Sequence, residues 1–120
     1  MFVCNFSKYN EEWLLDSGAS HHICPHKDWF YSYQTVNDGI VLLGDNHSCK
    51  TVGVGSVKIK MFDGVIKTLT DARHVLELKK KLISLGVLDS CGHKFTSLSR
   101  IPKVSKGALV VMKAHKIDFF

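Results

Sequence analysis

Asp16, Ser17 and Gly18 close an apolar run, Trp13-Leu14-Leu15, and are followed by the small residues Ala19 and Ser20. A strand ending in Asp-Ser-Gly delivers one carboxylate into a tight turn. The carboxylate can act as general acid or base, and the Ser17 hydroxyl can tie the turn down. Gly18 lets the backbone bend and lets a second chain or a substrate come close. This is one half of what an aspartic peptidase needs. The other half is a second carboxylate close enough to share a proton, so that one group is ionised and the other protonated. The ionised group then takes a proton from the attacking water, and the protonated one hydrogen-bonds the carbonyl oxygen as charge develops on it.

The chain holds a single Asp-Ser-Gly in its 120 residues. Asp89-Ser90-Cys91-Gly92 is interrupted by Cys91, and an intramolecular pair would need a second lobe that a chain this short does not supply. The second Asp16 is therefore expected from another copy of the chain, related by a two-fold axis. A pH profile with two apparent values that belong to the pair follows from such a dyad. A flexible hairpin must also close over the substrate. Residues 40–52 are the candidate flap, with Leu43, Gly44, Asp45, Asn46 and His47 at its substrate-binding end. A second apolar segment must pack beneath the turn and lead into a helix. Leu82-Ile83-Ser84, running into Leu85-Gly86-Val87-Leu88, has that character.

The elements that would position these groups read mostly as strands. Residues 1–10 look irregular, and 12–16 form the first strand. Residues 21–24 read as a second strand closed by Pro25, and 26–33 as a short helical turn that packs Trp29, Phe30 and Tyr33 on the core. Strands 40–43 and 48–52 flank Gly44-Asp45-Asn46-His47, and strands 56–62 and 65–70 flank Asp63-Gly64, the strongest hairpin signal present. Leu82, Leu85 and Leu88 recur at helical spacing within 79–89, and Cys91-Gly92-His93 ends that helix. Strands at 94–97 and 108–113 follow. The expected fold is mainly β: a small closed barrel with one short helix in its C-terminal third. Residues 1–11 are expected to be an irregular N-terminal segment, 12–97 the barrel, and 98–120 a C-terminal extension.

Composition sets the bounds. A hydrophobic fraction of 45% and a charged fraction of 22% suit one ordinary globular domain. The apolar runs at 40–43 and 108–112 are too short to span a bilayer, and no secretory leader is visible at the N-terminus. Four scattered cysteines without a C-x-x-C pair read as free thiols in a reducing compartment, hence a cytoplasmic setting. The net charge of +5 permits contact with nucleic acid. Its lysines are dispersed, however, and the run Lys79-Lys80-Lys81 reads as a solvated helix start, so no nucleic acid or membrane partner is expected for this domain alone.

Two other constellations compete. His21, His22, Cys24 and His26, with His47 and Cys49 further on, have the ligand types for zinc. His21 and His22 would point to opposite faces of a strand, and no spacing matches a known ligand pair, so neither metal nor cofactor is expected. Gly18-Ala19-Ser20-His21-His22 has the outline of a serine-hydrolase elbow, but His22 stands where the sharp turn needs glycine.

The stretch Trp13 through His22 closely resembles the protease opening in the Pol polyprotein of copia-type LTR retrotransposons, those of plants especially. The resemblance continues through Phe30, Gly44-Asp45, Val52-Gly53-Val54-Gly55 and Leu78-Lys79-Lys80-Lys81-Leu82-Ile83-Ser84-Leu85-Gly86. It reaches the tail, where Val104-Ser105-Lys106-Gly107-Ala108-Leu109-Val110-Val111-Met112-Lys113 resembles the start of the stretch preceding the integrase. The resemblance implies a retropepsin-like β-barrel that dimerises and cleaves the element's own Gag-Pol polyprotein, within a virus-like particle where the parent element is active. By position it implies Asp16 as the catalytic carboxylate, with Ser17 and Gly18 completing the motif. Ser84 departs from the pattern, standing where retroviral relatives usually have glycine. The chain starts fifteen residues before Asp16 and carries no Gag, integrase or reverse transcriptase, so it reads as a fragment or decayed copy. The alternative function is accordingly a catalytically inactive β-barrel remnant acting as a binding or structural module.

Overall fold

A central parallel pair of strands explains the two apolar runs of the sequence. The computed structural model describes residues 2–6, 11–43, 47–60, 66–97, 101–106 and 109–116. In it β2 (Glu11–Asp16) lies parallel to β7 (Lys81–Ser84), with Leu14 opposite Leu82, Leu15 opposite Ile83, and Asp16 opposite Ser84. Both strands are covered on both faces. Trp13, Leu15 and Ile83 enter one buried cluster with Val57, Ile59 and Leu88, whereas Leu14 and Leu82 enter a second with Ile23, Val41 and Val75. A strand buried on both sides reads as a continuous hydrophobic run rather than an alternating one.

Around this pair the order in the larger sheet is β11-β1-β2-β7-β3-β6-β5-β4, eight strands in all. The outer members are β1 (Phe2–Phe6), β3 (Ile23–Cys24), β4 (Phe30–Leu42), β5 (Ser48–Lys60), β6 (Ile66–His74) and β11 (His115–Lys116). Here the period-2 pattern is plain: Cys49, Thr51, Val57 and Ile59 of β5 are buried, while Ser48, Lys50 and Lys58 are exposed. The smaller sheet joins β8 (His93–Thr96), β9 (Lys103–Lys106) and β10 (Leu109–Lys113). The helix α1 (Leu85–Ser90) follows β7 directly.

Strands β4 and β5 approach very closely, and two glycines permit it. A Cβ on Gly55 would overlap the Ser32 carbonyl, and one on Gly53 would overlap the Tyr33 ring. The register slips between Phe30 and Ser32 and again between Thr35 and Gly39, where Asp38 takes a left-handed φ of 61°.

Several expectations are corrected. The molecule is mainly β, but its ladders do not close: among the described residues, β4 and β11 end the larger sheet as separate edges. Residues 1–10 are not all irregular, because β1 pairs antiparallel with β2 and places Val3 opposite Leu14. Residues 98–120 contribute β9, β10 and β11, and Val104, Met112 and Ala114 are buried in the main cluster. The helical turn expected at 26–33 shrinks to a single 3-10 turn, Lys27–Trp29, since Phe30 already begins a thirteen-residue strand. The helix expected over 79–89 is strand in its first half. Leu82 and Ile83 serve opposite faces there, and α1 begins only where the Ser84 hydroxyl accepts the Val87 N–H as N-cap. The Asp63-Gly64 turn lies outside the described residues.

Candidate functional site

Asp16 is the last residue of β2 and is half-buried, while Ser17, Gly18 and Ser20 of the turn that follows are exposed. The Asp16 Oδ1 accepts the Gly18 N–H at 2.8 Å, closing the turn on its own carboxylate. Beneath the turn the anchoring groups are buried. Ser84, fully buried, donates its hydroxyl to the Ala19 carbonyl at 2.7 Å, and accepts Val87 N–H at 3.1 Å. Its own N–H donates to His22 Nδ1 at 3.0 Å. The departure from glycine at position 84 therefore has a definite role: one side chain fastens the Asp16 turn and caps α1.

His22 completes the lock. Its carbonyl accepts Arg73 N–H at 2.8 Å, so the turn is tied to β6 as well as to β7. Burial, reinforced by the neighbouring charges of His21 and His93, lowers the His22 pKa to about 4. A neutral ring with an acceptor at Nδ1 is what the Ser84 bond requires. His21 faces outward by contrast, with Nδ1 3.0 Å from Ser20 Oγ. The tie expected of Ser17 is thus made by Gly18 N–H and by Ser84, and Ser17 itself stands in the open.

The candidate flap is a real hairpin up to its tip. Ile40 pairs with Lys50, Val41 with Cys49, and Leu42 with Ser48, and Leu43 N–H donates to the His47 carbonyl at 2.8 Å. Gly44, Asp45 and Asn46 lie outside the described residues. The hairpin is clipped to the Asp16 turn, since Ser20 N–H donates to the Leu42 carbonyl at 3.0 Å and Leu42 N–H to Ser20 Oγ at 3.2 Å. A groove of about 440 Å³ lies on the hairpin, lined by Asp38, Ile40, Ser48, Cys49 and Lys50, and not at Asp16.

The candidate zinc set at the start of the chain does not converge. Cys24 is buried in the main cluster, its thiol contacting the His26 carbonyl at 3.6 Å, and burial raises its pKa. The structure instead gathers His47, Cys49 and Glu77, whose ligand atoms lie within 4.8 Å of one another. Glu77 sits 28 residues beyond Cys49 on the β6–β7 connection, so no local spacing announces it. The usable signal was the close spacing His47-x-Cys49, two ligand types next to the start of a strand. The lysine run is not a helix start either. Lys81 opens β7, and its Nζ stands 3.9 Å from the centre of the Trp29 ring.

Comparison with known proteins places the chain in a family. Residues 13–93 match the family described as Pol polyprotein, beta-barrel domain. The chain belongs to that family. It is also 36% identical over 102 residues to the retrovirus-related Pol polyprotein from transposon TNT 1-94 of Nicotiana tabacum, a match covering 85% of this chain. The chain spans only 8% of that relative's length. This Pol β-barrel domain is thus a small part of a retroelement polyprotein in the relative it matches.

Proposed function

We propose that this Pol domain is one half of an aspartic endopeptidase that processes a Gag-Pol polyprotein as a homodimer. The observation that carries the reading is the Asp16–Gly18 turn, half-buried at Asp16 and exposed at Ser17 and Gly18, set on a locked base. The carboxylate is accessible at a strand end, and the turn behind it is fixed by Ser84 and His22. Preorganisation of this kind is what a shared carboxylate pair needs, because both groups must hold a single water.

In the dimer, one Asp16 carboxylate takes a proton from the lytic water as its oxygen bonds to the peptide carbonyl carbon. The protonated Asp16 of the second copy gives its proton to the carbonyl oxygen. The tetrahedral gem-diol then collapses: the C–N bond breaks, the amine leaves with the proton the first carboxylate took from water, and the second carboxylate takes a proton back from a diol hydroxyl. Ser17 braces the two turns against each other, and the hairpin from Leu43 to His47 covers the substrate. Work in the cytoplasm, inside a virus-like particle where the element is active, follows from that role.

The test is self-processing. A precursor carrying this domain between its flanking Pol sequences should release it, and Asp16→Asn should abolish release, while sedimentation should show a dimer. Release that survives Asp16→Asn sinks the proposal. So does a strict monomer that leaves the precursor intact, which is the behaviour of a non-catalytic barrel.

A further inference from the structure

We infer that His47, Cys49 and Glu77 form a binding site for a thiophilic divalent cation, zinc being the best match. This inference stands apart from the peptidase reading and uses none of its residues except His47, at the hairpin end.

The three side chains come from two separate pieces of chain. His47 stands just before β5, Cys49 is the second residue of that strand, and Glu77 reaches them from the connection between β6 and β7. Their ligand atoms lie within 4.8 Å of one another. Zinc bonds of about 2.0–2.3 Å place tetrahedral ligands roughly 3.5 Å apart, so the cluster must contract by about 1 Å. Side-chain torsions at His47 and Glu77, both at exposed positions, supply that movement around the buried Cys49.

The surroundings favour the site further. Lys50 N–H donates to Glu77 Oε1 at 3.2 Å, which orients the carboxylate toward the strand that carries Cys49. A thiolate, a carboxylate and a neutral imidazole bring two negative charges, which balance one divalent ion. Sulfur and nitrogen ligands select zinc over magnesium or calcium. The ion would displace the thiol proton on binding, and water would complete the fourth position. Three ligands with an open fourth position would pin the end of the β4–β5 hairpin to the β6–β7 connection.

The test uses the whole chain stripped of metal by chelator. Titration with Co²⁺ should give a thiolate-to-metal charge-transfer band saturating at one ion per chain, and Zn²⁺ should displace it and raise the melting temperature. Glu77→Gln and His47→Gln, both at exposed positions, should each weaken binding by at least ~10-fold. Cys49→Ala should remove the band, and Cys91→Ala, which alters the exposed thiol, should leave it. Absence of the band in the parent chain overturns the inference. So does a band that persists in Glu77→Gln and His47→Gln at unchanged affinity, or one lost with Cys91→Ala. Should Cys49→Ala fail to fold, the two exposed variants decide the matter alone.

Discussion

The Asp16 turn and the far end of the β4–β5 hairpin touch through Ser20 and Leu42, yet they are built in opposite ways. The turn is open above and fastened below by buried polar groups: Ser84 is fully buried and His22 is 3% exposed. The hairpin end is held by its own backbone ladder, and Ile40 and Leu42 turn outward at 66% and 56% exposure. The difference teaches where rigidity is concentrated. Buried hydrogen bonds are costly to break because their groups have no water to turn to, so they fix geometry. Exposed strand positions tolerate change, so they leave a surface that can adapt to whatever lies against it.

The sharpest way to break that contrast is acid. With the folded His22 pKa lowered from 6.5 to about 4, the imidazole is neutral in both folded and unfolded chains above pH 6.5. Between those values the unfolded chain takes up a proton that the folded one refuses, so stability falls as pH falls through this window. At 1.36 kcal/mol per pH unit, the loss approaches roughly 3 kcal/mol. Denaturant midpoints measured from pH 7 down to 4 should show it. His22→Asn, which keeps an acceptor near Nδ1 but cannot titrate, should start less stable and lose less over the same range. If its slope matches the parent's, the lock at His22 is not what acid breaks.

Ser84→Ala probes the same base without a charge. The variant removes the bond to the Ala19 carbonyl and the N-cap bond from Val87, and leaves Val87 N–H short of an acceptor. Loss of a cap and of a buried hydrogen bond together predicts destabilisation of about 2 kcal/mol. Ser84→Gly should behave similarly or worse, because it loses the hydroxyl and adds backbone freedom. A loss below ~0.5 kcal/mol would mean that the turn is held from elsewhere, since changes of that size are typical of unremarkable surface sites.

Much of this contrast was legible in the residues. Strand Trp13 to Asp16, the strands at 40–42 and 48–52 and the apolar segment beneath the turn all follow from local pattern, because each is dictated by which faces are buried. What was not legible depended on contacts between distant segments. Leu82, Leu85 and Leu88 satisfy a helical period, yet pairing with Leu14 and Ile23 converts the first of them to strand. Phe2–Phe6 has no alternation that separates it from an irregular end, and becomes a strand only because β2 offers it an edge. Ser84 looked like a departure from a glycine pattern, and its distant partner, the Ala19 carbonyl, was invisible until β2 and β7 were placed in register. Glu77 joined His47 and Cys49 for the same reason.

The smallest expected effect lies at the other region. Leu42→Ser changes a side chain that faces solvent, and leaves the Leu42 backbone to make both bonds with Ser20. Thermal unfolding of a dilute sample should therefore shift by no more than ~0.5 kcal/mol. The contrast fails if the loss is as large as that from Ser84→Ala. Should a large loss appear only as protein concentration rises, Leu42 is covered by a second copy of the chain, because only an association equilibrium makes stability concentration-dependent. The hairpin surface would then be part of the dimer, and the adaptable side of the molecule would have to be sought elsewhere.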